Sequence, residues 1–97
     1  MKKDFSPVLY GAFLNCRTEE DVRVLLEDLC TYEELEQLSQ RAAAAKLLIE
    51  GKTYAEIILE TDISSATLSR VSRAVNHGSG GYRKFIANVL IPQRKGN

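Results

Sequence analysis

The feature that most constrains the fold is the stretch GKTYAEIILETDISSATLSRVSRAVN, residues 51–76. Thr53 and Glu56 have the spacing of a capping box, in which the hydroxyl and the carboxylate each satisfy a backbone N–H group at a helix start. This pair predicts the start of a first helix. Its apolar stripe is predicted at Ala55, Ile58 and Leu59, which follow at helical spacing.

A second helix is predicted after a tight turn. Residues that bond readily to their own backbone interrupt the periodicity and place the turn at Thr61, Asp62 and Ile63. Ser64 or Ser65 can cap the next helix, because a serine hydroxyl accepts a hydrogen bond from a free N–H of the first turn. The buried positions of that helix are predicted at Leu68, Val71 and Val75. The pattern predicts a helix-turn-helix at about residues 53–76.

The remaining faces of the second helix suit the major groove of DNA. Small hydroxylated residues open the helix and let it approach the base edges, while Arg70 and Arg73 can bond guanine or phosphate. Two short helices joined by a turn also occur as plain packing units, so the pattern alone leaves both interpretations open.

Charge is distributed unevenly along the chain. Its 13 basic and 13 acidic residues balance, which by itself argues against nucleic-acid binding. The first 62 residues, however, carry all 13 acidic residues and seven basic ones, whereas the rest carry six basic residues, so the net charges are −6 and +6. A basic surface that begins at the second motif helix is what phosphate contact requires.

Capping residues also indicate the helices outside the motif. Three further starts are predicted at Ser6 with Pro7, Thr18 with Asp21, and Thr31 with Glu34. The longest helix is predicted at about residues 32–50, ended by Gly51, and a last one at residues 82–90, ended by Pro92. No stretch alternates convincingly as a strand, so the prediction is an all-α fold of about six helices.

Composition excludes several classes of protein. The 97 residues, 44% hydrophobic and 27% charged, predict a single globular domain spanning 1–97. No apolar run approaches the roughly 20 residues needed to cross a bilayer, and a signal peptide is not recognisable, so a cytoplasmic protein is expected. Cys16, Cys30 and His77 form neither a metal-binding spacing nor a catalytic arrangement. We therefore predict no metal, no cofactor and no enzyme activity.

The segment ATLSRVSRAVNHGSGGY, residues 66–82, together with the GKTYAEI that begins the motif, resembles the Trp repressor-like family and most nearly its YerC/YecD group. The resemblance implies an intertwined homodimer in which terminal helices of two chains interleave. Two helix-turn-helix motifs would then meet successive major grooves about 34 Å apart. The alanine run at residues 42–45 is a candidate dimer core, since small side chains let another helix pass closely.

The resemblance implies double-stranded DNA as the partner and places Thr67 at a base-facing position, although Thr67 could instead bond back within its own helix. In the tryptophan-binding members, polar and basic residues of the first motif helix contact DNA. Ala55, Glu56 and Leu59 stand there in this chain, and Glu56 would repel phosphate. The predicted DNA-binding residues are Lys52, Thr53, Tyr54, Ser64, Ser65, Ala66, Thr67, Ser69, Arg70 and Arg73.

The tryptophan-binding members hold the indole ring between two arginines. The matching positions form a candidate effector pocket of Thr31, Arg41, Arg70 and Val71. A glycine of those members is replaced by Val71 and a small polar residue by Ala74, and a branched side chain would fill space that the indole needs. We expect no tryptophan binding, and the two arginines are alternatively surface or phosphate-contacting residues.

These observations predict a homodimeric, sequence-specific transcriptional regulator, most simply a repressor that blocks promoter access. The alternative is an all-helical protein-interaction module that keeps the fold without binding DNA. The acidic first half of the chain and Glu56 favour this alternative, whereas the concentrated basic charge of the second half opposes it.

Overall fold

The computed structural model describes residues 2–91, which form helices and no strand. Six helices follow one another: α1 (Ser6–Asn15), α2 (Glu19–Leu29), α3 (Tyr32–Ile49), α4 (Tyr54–Thr61), α5 (Ser65–His77) and α6 (Gly81–Phe85). The prediction of an all-α fold with six helices is confirmed. The chain divides into two compact units whose boundary falls between Glu36 and Gln37.

Local hydrogen bonds begin two helices in the first unit. The Thr18 hydroxyl accepts from the Asp21 N–H at 3.0 Å, and the Asp21 carboxylate accepts from the Arg17 N–H at 2.9 Å. Thr31 and Glu34 form a reciprocal capping box: the Glu34 N–H donates to the Thr31 hydroxyl at 3.1 Å, and the Thr31 N–H donates to the Glu34 carboxylate at 2.8 Å. Both predicted helix starts are confirmed, although the Asp21 carboxylate accepts from Arg17 instead of Thr18.

The first two helices bury none of their residues within the chain. Large apolar side chains stand exposed along α1, among them Val8, Leu9, Tyr10, Phe13 and Leu14. Val24 and Leu29 are likewise exposed on α2. The apolar surface of these helices therefore lies outside the core that the chain forms by itself.

The hydrophobic core lies in the second unit. It consists of Ala44, Ala45, Leu47, Ile57, Ile63, Leu68, Val71 and Val75. The three buried positions predicted for the second motif helix are confirmed. Two alanines of the run at residues 42–45 are fully buried in this core. These two side chains pack within their own chain, whereas Ala42 and Ala43 are half-buried, so the candidate dimer core stays a prediction for the latter pair.

The apolar stripe predicted for α4 is wrong. Ile57 is fully buried, whereas Leu59 is 86% exposed, Ala55 is exposed and Ile58 is half-buried. Three consecutive apolar residues, 57–59, leave the inward direction of an eight-residue helix undetermined by spacing. Tertiary packing decides it, since Ile57 belongs to the same core cluster as Ile63 and Leu68.

The end of α3 agrees with the prediction, while the last helix is shorter than predicted. Gly51 follows α3 with φ of +91°, a left-handed conformation that glycine adopts without steric cost. The α6 helix ends at Phe85, well short of the predicted residue 90. Pro92, which lies outside the described residues, has no N–H and disfavours helix in the residue before it.

A buried lysine of α3 binds the backbone just after α6. Lys46 is 8% exposed, and its ammonium donates to the Ala87 carbonyl and pairs with Glu50 at 3.0 Å. The Ala87 carbonyl is thus engaged by α3, in place of the N–H group that a continued helix would offer it. This contact fixes the segment after α6 against α3.

Across residues 2–91, no helix is both long enough and apolar enough to cross a membrane.

Candidate nucleic-acid interface

Three residues, 62–64, join α4 to α5 and produce the predicted helix-turn-helix. Asp62 has φ of +61°, and its N–H donates to the Ile58 carbonyl at 3.0 Å. Aspartate tolerates this left-handed conformation better than larger residues do. Ile63 then turns inward and is buried. The turn lies one residue later than the predicted Thr61, Asp62 and Ile63, because Thr61 still belongs to α4; Ile63 is also a core residue.

Hydrogen bonds and packing hold the two motif helices at this turn. The Thr61 hydroxyl donates to the Ile57 carbonyl at 2.7 Å and accepts from the Ile63 N–H at 3.3 Å. Ile57, Ile63 and Leu68, which come from α4, the turn and α5, are the largest fully buried side chains. The motif is therefore a packed unit that can present α5 in a fixed orientation.

The start of α4 carries a fixed negative charge. The Glu56 N–H donates to the Thr53 hydroxyl at 3.2 Å, while the Thr53 N–H and hydroxyl donate to the Glu56 carboxylate at 2.9 and 3.0 Å. These bonds from the Thr53 backbone and side chain, with the nearby charge of Lys52, hold the pKa of Glu56 below its usual range. The predicted capping box is confirmed, and it leaves an ionised carboxylate at the end of the helix that would otherwise attract phosphate.

The start of α5 is capped without charge. Ser64 is the N-cap, and its Oγ accepts from the Thr67 N–H at 3.1 Å. The first turn of α5 holds no acidic residue. The positive end of the helix dipole is thus free to attract an anion, as the N-termini of DNA-contacting helices do.

Two arginines extend from the solvent face of α5. Arg70 and Arg73 are exposed and, three residues apart, share a face of the helix. Neither forms a hydrogen bond or an ion pair with another residue in the part of the chain that the structure describes. Arg83 differs: its guanidinium donates to the Val75 carbonyl at 3.1 Å and to Asn76 Oδ1 at 3.2 Å. Arg83 thus caps the other end of α5.

The other predicted DNA-binding residues lie at the starts of the two motif helices. Lys52 and Tyr54 are exposed beside the α4 capping box, in which the polar groups of Thr53 are already engaged. Thr67 is half-buried. The exposed members on α5 and its cap are Ser64, Ser65, Ala66, Ser69, Arg70 and Arg73.

The four candidate effector residues differ in solvent exposure and in hydrogen bonding. The N–H and hydroxyl of Thr31 are engaged with Glu34, and Arg41 and Arg70 are exposed. Val71 is 2% exposed and packs in the core, so it does not line a surface site.

The described residues also form a surface cavity of about 320 Å³, which the sequence did not predict. Its lining is Ala74, Ser79, Gly81, Tyr82, Phe85 and Ile86, and none of the four candidate effector residues takes part. Helical spacing of Tyr82, Phe85 and Ile86 is the sequence signal for its apolar wall.

Comparison with known proteins agrees with this architecture. Residues 7–90 match the family described as Trp repressor protein. The uncharacterized protein YerC of Bacillus subtilis (strain 168) is 38% identical over 81 residues, which are 84% of this chain and 78% of that protein.

Two solved structures resemble the chain as well. A candidate Trp repressor from Staphylococcus aureus aligns with a TM-score of 0.80 and 36% identity, over 86% of this chain and 83% of the other. A TrpR-like protein from Eubacterium eligens ATCC 27750 aligns with a TM-score of 0.77 and 40% identity, over 80% of each chain. The Trp repressor family is one of regulatory DNA-binding proteins.

Proposed function

This chain belongs to the Trp repressor family, and we propose that it is a sequence-specific transcriptional regulator that reads the major groove of double-stranded DNA with α5. The observation that carries the proposal is the pair Arg70 and Arg73, which are exposed on α5 and have no ionic partner among residues 2–91. An unpaired guanidinium can bond phosphate or the edge of guanine without first breaking an internal contact.

The proposed contacts divide between the two motif helices. The uncharged N-terminus of α5 meets the groove, with Ser65, Ala66 and Thr67 nearest the bases, and Arg70 and Arg73 bind phosphate or guanine. Lys52 and Tyr54 contribute contacts beside α4, where Glu56 repels phosphate. Binding therefore depends mainly on α5.

The protein acts as a homodimer in this proposal. The exposed apolar surface of α1 and α2 supports it, because surface of this kind gains stability when a second chain covers it. Two copies of the motif on a two-fold axis would match a near-palindromic site. A dimer bound across a promoter would block access to it, which makes repression the simplest outcome for a cytoplasmic regulator.

Tryptophan is not the proposed effector. The identity of Val71 supports this part of the proposal, because a branched side chain stands where the tryptophan-binding members have a glycine. Any small-molecule effector would have to be of another kind.

A protein-interaction module is the second candidate function. The 86% exposure of Leu59, on the same helix as the ionised Glu56, favours it, because an exposed apolar residue beside negative charge suits a protein partner better than DNA. The basic face of α5 opposes it.

Selection of bound genomic DNA fragments by the purified protein tests the proposal. We expect recovery of a near-palindromic site, lost in the Arg70→Ala/Arg73→Ala double variant and unchanged by L-tryptophan. Recovery of no preferred sequence would favour the interaction module. Selection that requires L-tryptophan would show that Val71 does not exclude the amino acid.

A further inference from the structure

A side chain from another helix holds the C-terminal end of α5. Val75 lies in the last turn of α5, where backbone carbonyls lack an N–H partner within the helix. The Arg83 guanidinium donates to the Val75 carbonyl at 3.1 Å and to Asn76 Oδ1 at 3.2 Å. A guanidinium carries donors only, so both groups of α5 act as acceptors toward it. Arg83 therefore ties the last turn of α5 to α6.

The chain between α5 and α6 is shaped to bring Arg83 back onto α5. Gly78 follows the last residue of α5, and its N–H donates to the Ala74 carbonyl at 2.9 Å. A Cβ atom at Gly78 would clash with that carbonyl, so the chain can turn this closely only at a glycine. Tyr82, next to Arg83, packs against the hydrophobic core. The contact of Arg83 with α5 is thus supported by a close turn and by packing.

The segment that carries Arg83 is itself anchored to α3. Lys46 is 8% exposed, and its ammonium donates to the Ala87 carbonyl, two residues after the end of α6. The ion pair of Lys46 with Glu50 at 3.0 Å balances the charge of the ammonium. Residues 83–87 therefore form a brace that is bound to α5 at one end and to α3 at the other.

The DNA-contacting residue proposed nearest to this brace is Arg73. It lies two residues before Val75, whereas Arg70 lies almost one turn further from the end of α5. A helix end frays when its last carbonyls have no partner. Loss of the Arg83 contact should therefore loosen the backbone around Arg73 and leave that around Arg70 in place.

On the basis of the proposed function, we propose that Arg83 is a positioning residue for DNA binding, which acts through Arg73 and does not itself contact DNA. Its guanidinium is engaged within the protein, and a cation at the C-terminal end of α5 also interacts favourably with the helix dipole. Ordering the helix end before DNA arrives lowers the entropy that Arg73 loses when it binds phosphate or guanine.

The test is a set of double-mutant cycles in the full chain, on the DNA site that the parent protein selects. Arg83→Met removes the donors and keeps an unbranched stem. Lys84→Met is the matched control, because Lys84 carries the same charge on the same helix and its ammonium lies over the Phe85 ring, 5.4 Å from the centroid. Arg83→Met is also combined with Arg73→Ala and, separately, with Arg70→Ala. Fluorescence anisotropy measures the affinity of each protein for DNA.

We expect Arg83→Met to weaken DNA binding about three- to fivefold, which is part of the roughly tenfold that a charged hydrogen bond to DNA contributes. In the Arg73→Ala background, Arg83→Met should change the affinity by less than about 1.5-fold, because the residue through which Arg83 acts is gone. In the Arg70→Ala background it should keep its full effect. Lys84→Met should weaken binding by less than about twofold, since an exposed charge away from the DNA is screened by salt.

Hydrogen exchange in the absence of DNA measures the order of the helix end directly. The backbone N–H groups of residues 75–78 should exchange faster in Arg83→Met than in the parent protein, because the last turn of α5 opens more often. Their exchange in Lys84→Met should match that of the parent protein. Thermal unfolding shows beforehand that each variant is folded.

Asn76→Ala is a second variant for the case that Arg83→Met does not fold. It removes one of the two acceptors of Arg83, changes no charge and leaves the bond to the Val75 carbonyl. We expect it to weaken DNA binding about twofold, and to have no effect in the Arg73→Ala background.

Several results would overturn the inference. Equal losses of affinity in Arg83→Met and Lys84→Met would mean that only the charge of Arg83 matters. Independent, additive losses from Arg83→Met and Arg73→Ala would mean that Arg83 does not act through Arg73. Unchanged exchange at residues 75–78 in Arg83→Met would mean that Arg83 does not order the helix end. A parent protein that selects no DNA site would overturn the proposed function itself, and the positioning role with it.

Discussion

The two helices of the motif begin with the same cap geometry and opposite electrostatics. In each, a hydroxyl accepts from the N–H three residues later: Thr53 from Glu56 at 3.2 Å and Ser64 from Thr67 at 3.1 Å. The third residue differs, being an ionised carboxylate in α4 and a hydroxyl in α5. Because a helix N-terminus attracts phosphate through its dipole, a carboxylate already placed there competes with DNA. One residue thus decides which of the two helices can meet an anion.

The rest of each helix follows the same division. The solvent face of α5 carries Arg70 and Arg73 and no acidic residue, whereas α4 carries Glu56, Glu60 and the exposed Leu59. The α4 helix supports the motif through the buried side chain of Ile57, and α5 presents its arginines to DNA. Substitutions in one helix at a time separate the contributions of α4 and α5.

The largest effect is expected on the free energy of unfolding, from a substitution in the core that the two helices share. Leu68→Ala removes a fully buried side chain of α5 and should lower the free energy of unfolding by about 2–5 kcal/mol. The matched variant Leu59→Ala changes an exposed side chain of α4 and should shift it by less than about 0.5 kcal/mol. Urea unfolding at one fixed protein concentration measures both. Similar losses in the two variants would contradict the assignment of Leu59 to the surface.

A smaller effect is expected on DNA affinity when a single basic residue is replaced by alanine. Arg70→Ala should weaken binding about tenfold, because Arg70 is exposed and can turn to the DNA. Lys52→Ala should weaken binding less than about threefold, because Glu56 offsets the charge of Lys52. Fluorescence anisotropy with one labelled duplex measures both. Arg23→Ala is the control, since Arg23 lies on α2 and pairs with Glu20 and Glu27. A greater loss in Lys52→Ala would reverse the roles given to the helices.

Glu56→Gln should strengthen DNA binding by about two- to threefold, because it removes one negative charge close to the DNA. Glutamine still suits the third position of a capping box, so the helix should persist. The same anisotropy titration detects the change, and far-ultraviolet circular dichroism checks the helix content. Weaker binding in a folded Glu56→Gln protein would show that the carboxylate assists DNA binding.

The smallest effect is expected on the melting temperature at acidic pH. The folded-state pKa of Glu56 lies below its ordinary value of 4.5, so the carboxylate stabilises the folded state fully above pH 4.5. That contribution is lost as the pH falls through the lower folded-state value. The melting temperature of the parent protein should therefore fall more than that of Glu56→Gln below pH 4.5. Parallel melting curves across this range would mean that the capping carboxylate contributes no stability.

Features that depend on neighbouring residues could be predicted from the sequence. The capping pairs at Thr18, Thr31 and Thr53, the cap of α5 and the stop at Gly51 all follow from contacts within a few positions. The amphipathic pattern of α5 is long enough to fix its buried face. The arginines opposite that face could therefore be named in advance as the exposed cations.

Features that depend on distant residues could not be predicted from the sequence. The inward position in α4 is set by packing of Ile57 with α5, and a run of three apolar residues does not encode that choice. The segment after α6 is held by Lys46, which lies 41 residues before its partner Ala87. The hydrogen bond between Ser64 and Thr67 needs a particular side-chain orientation, which residue identity alone leaves open.

The plot of log DNA affinity against log salt concentration shows how many phosphates the protein contacts, because each contact releases counterions and steepens the plot. The slope should be about one to two units shallower for each bound chain in the Arg70→Ala/Arg73→Ala variant than in the parent protein, about one unit for each arginine that contacts phosphate, and unchanged in Arg23→Ala. An unchanged slope together with an unchanged affinity in the double variant would contradict the claim that α5 is the helix that meets DNA.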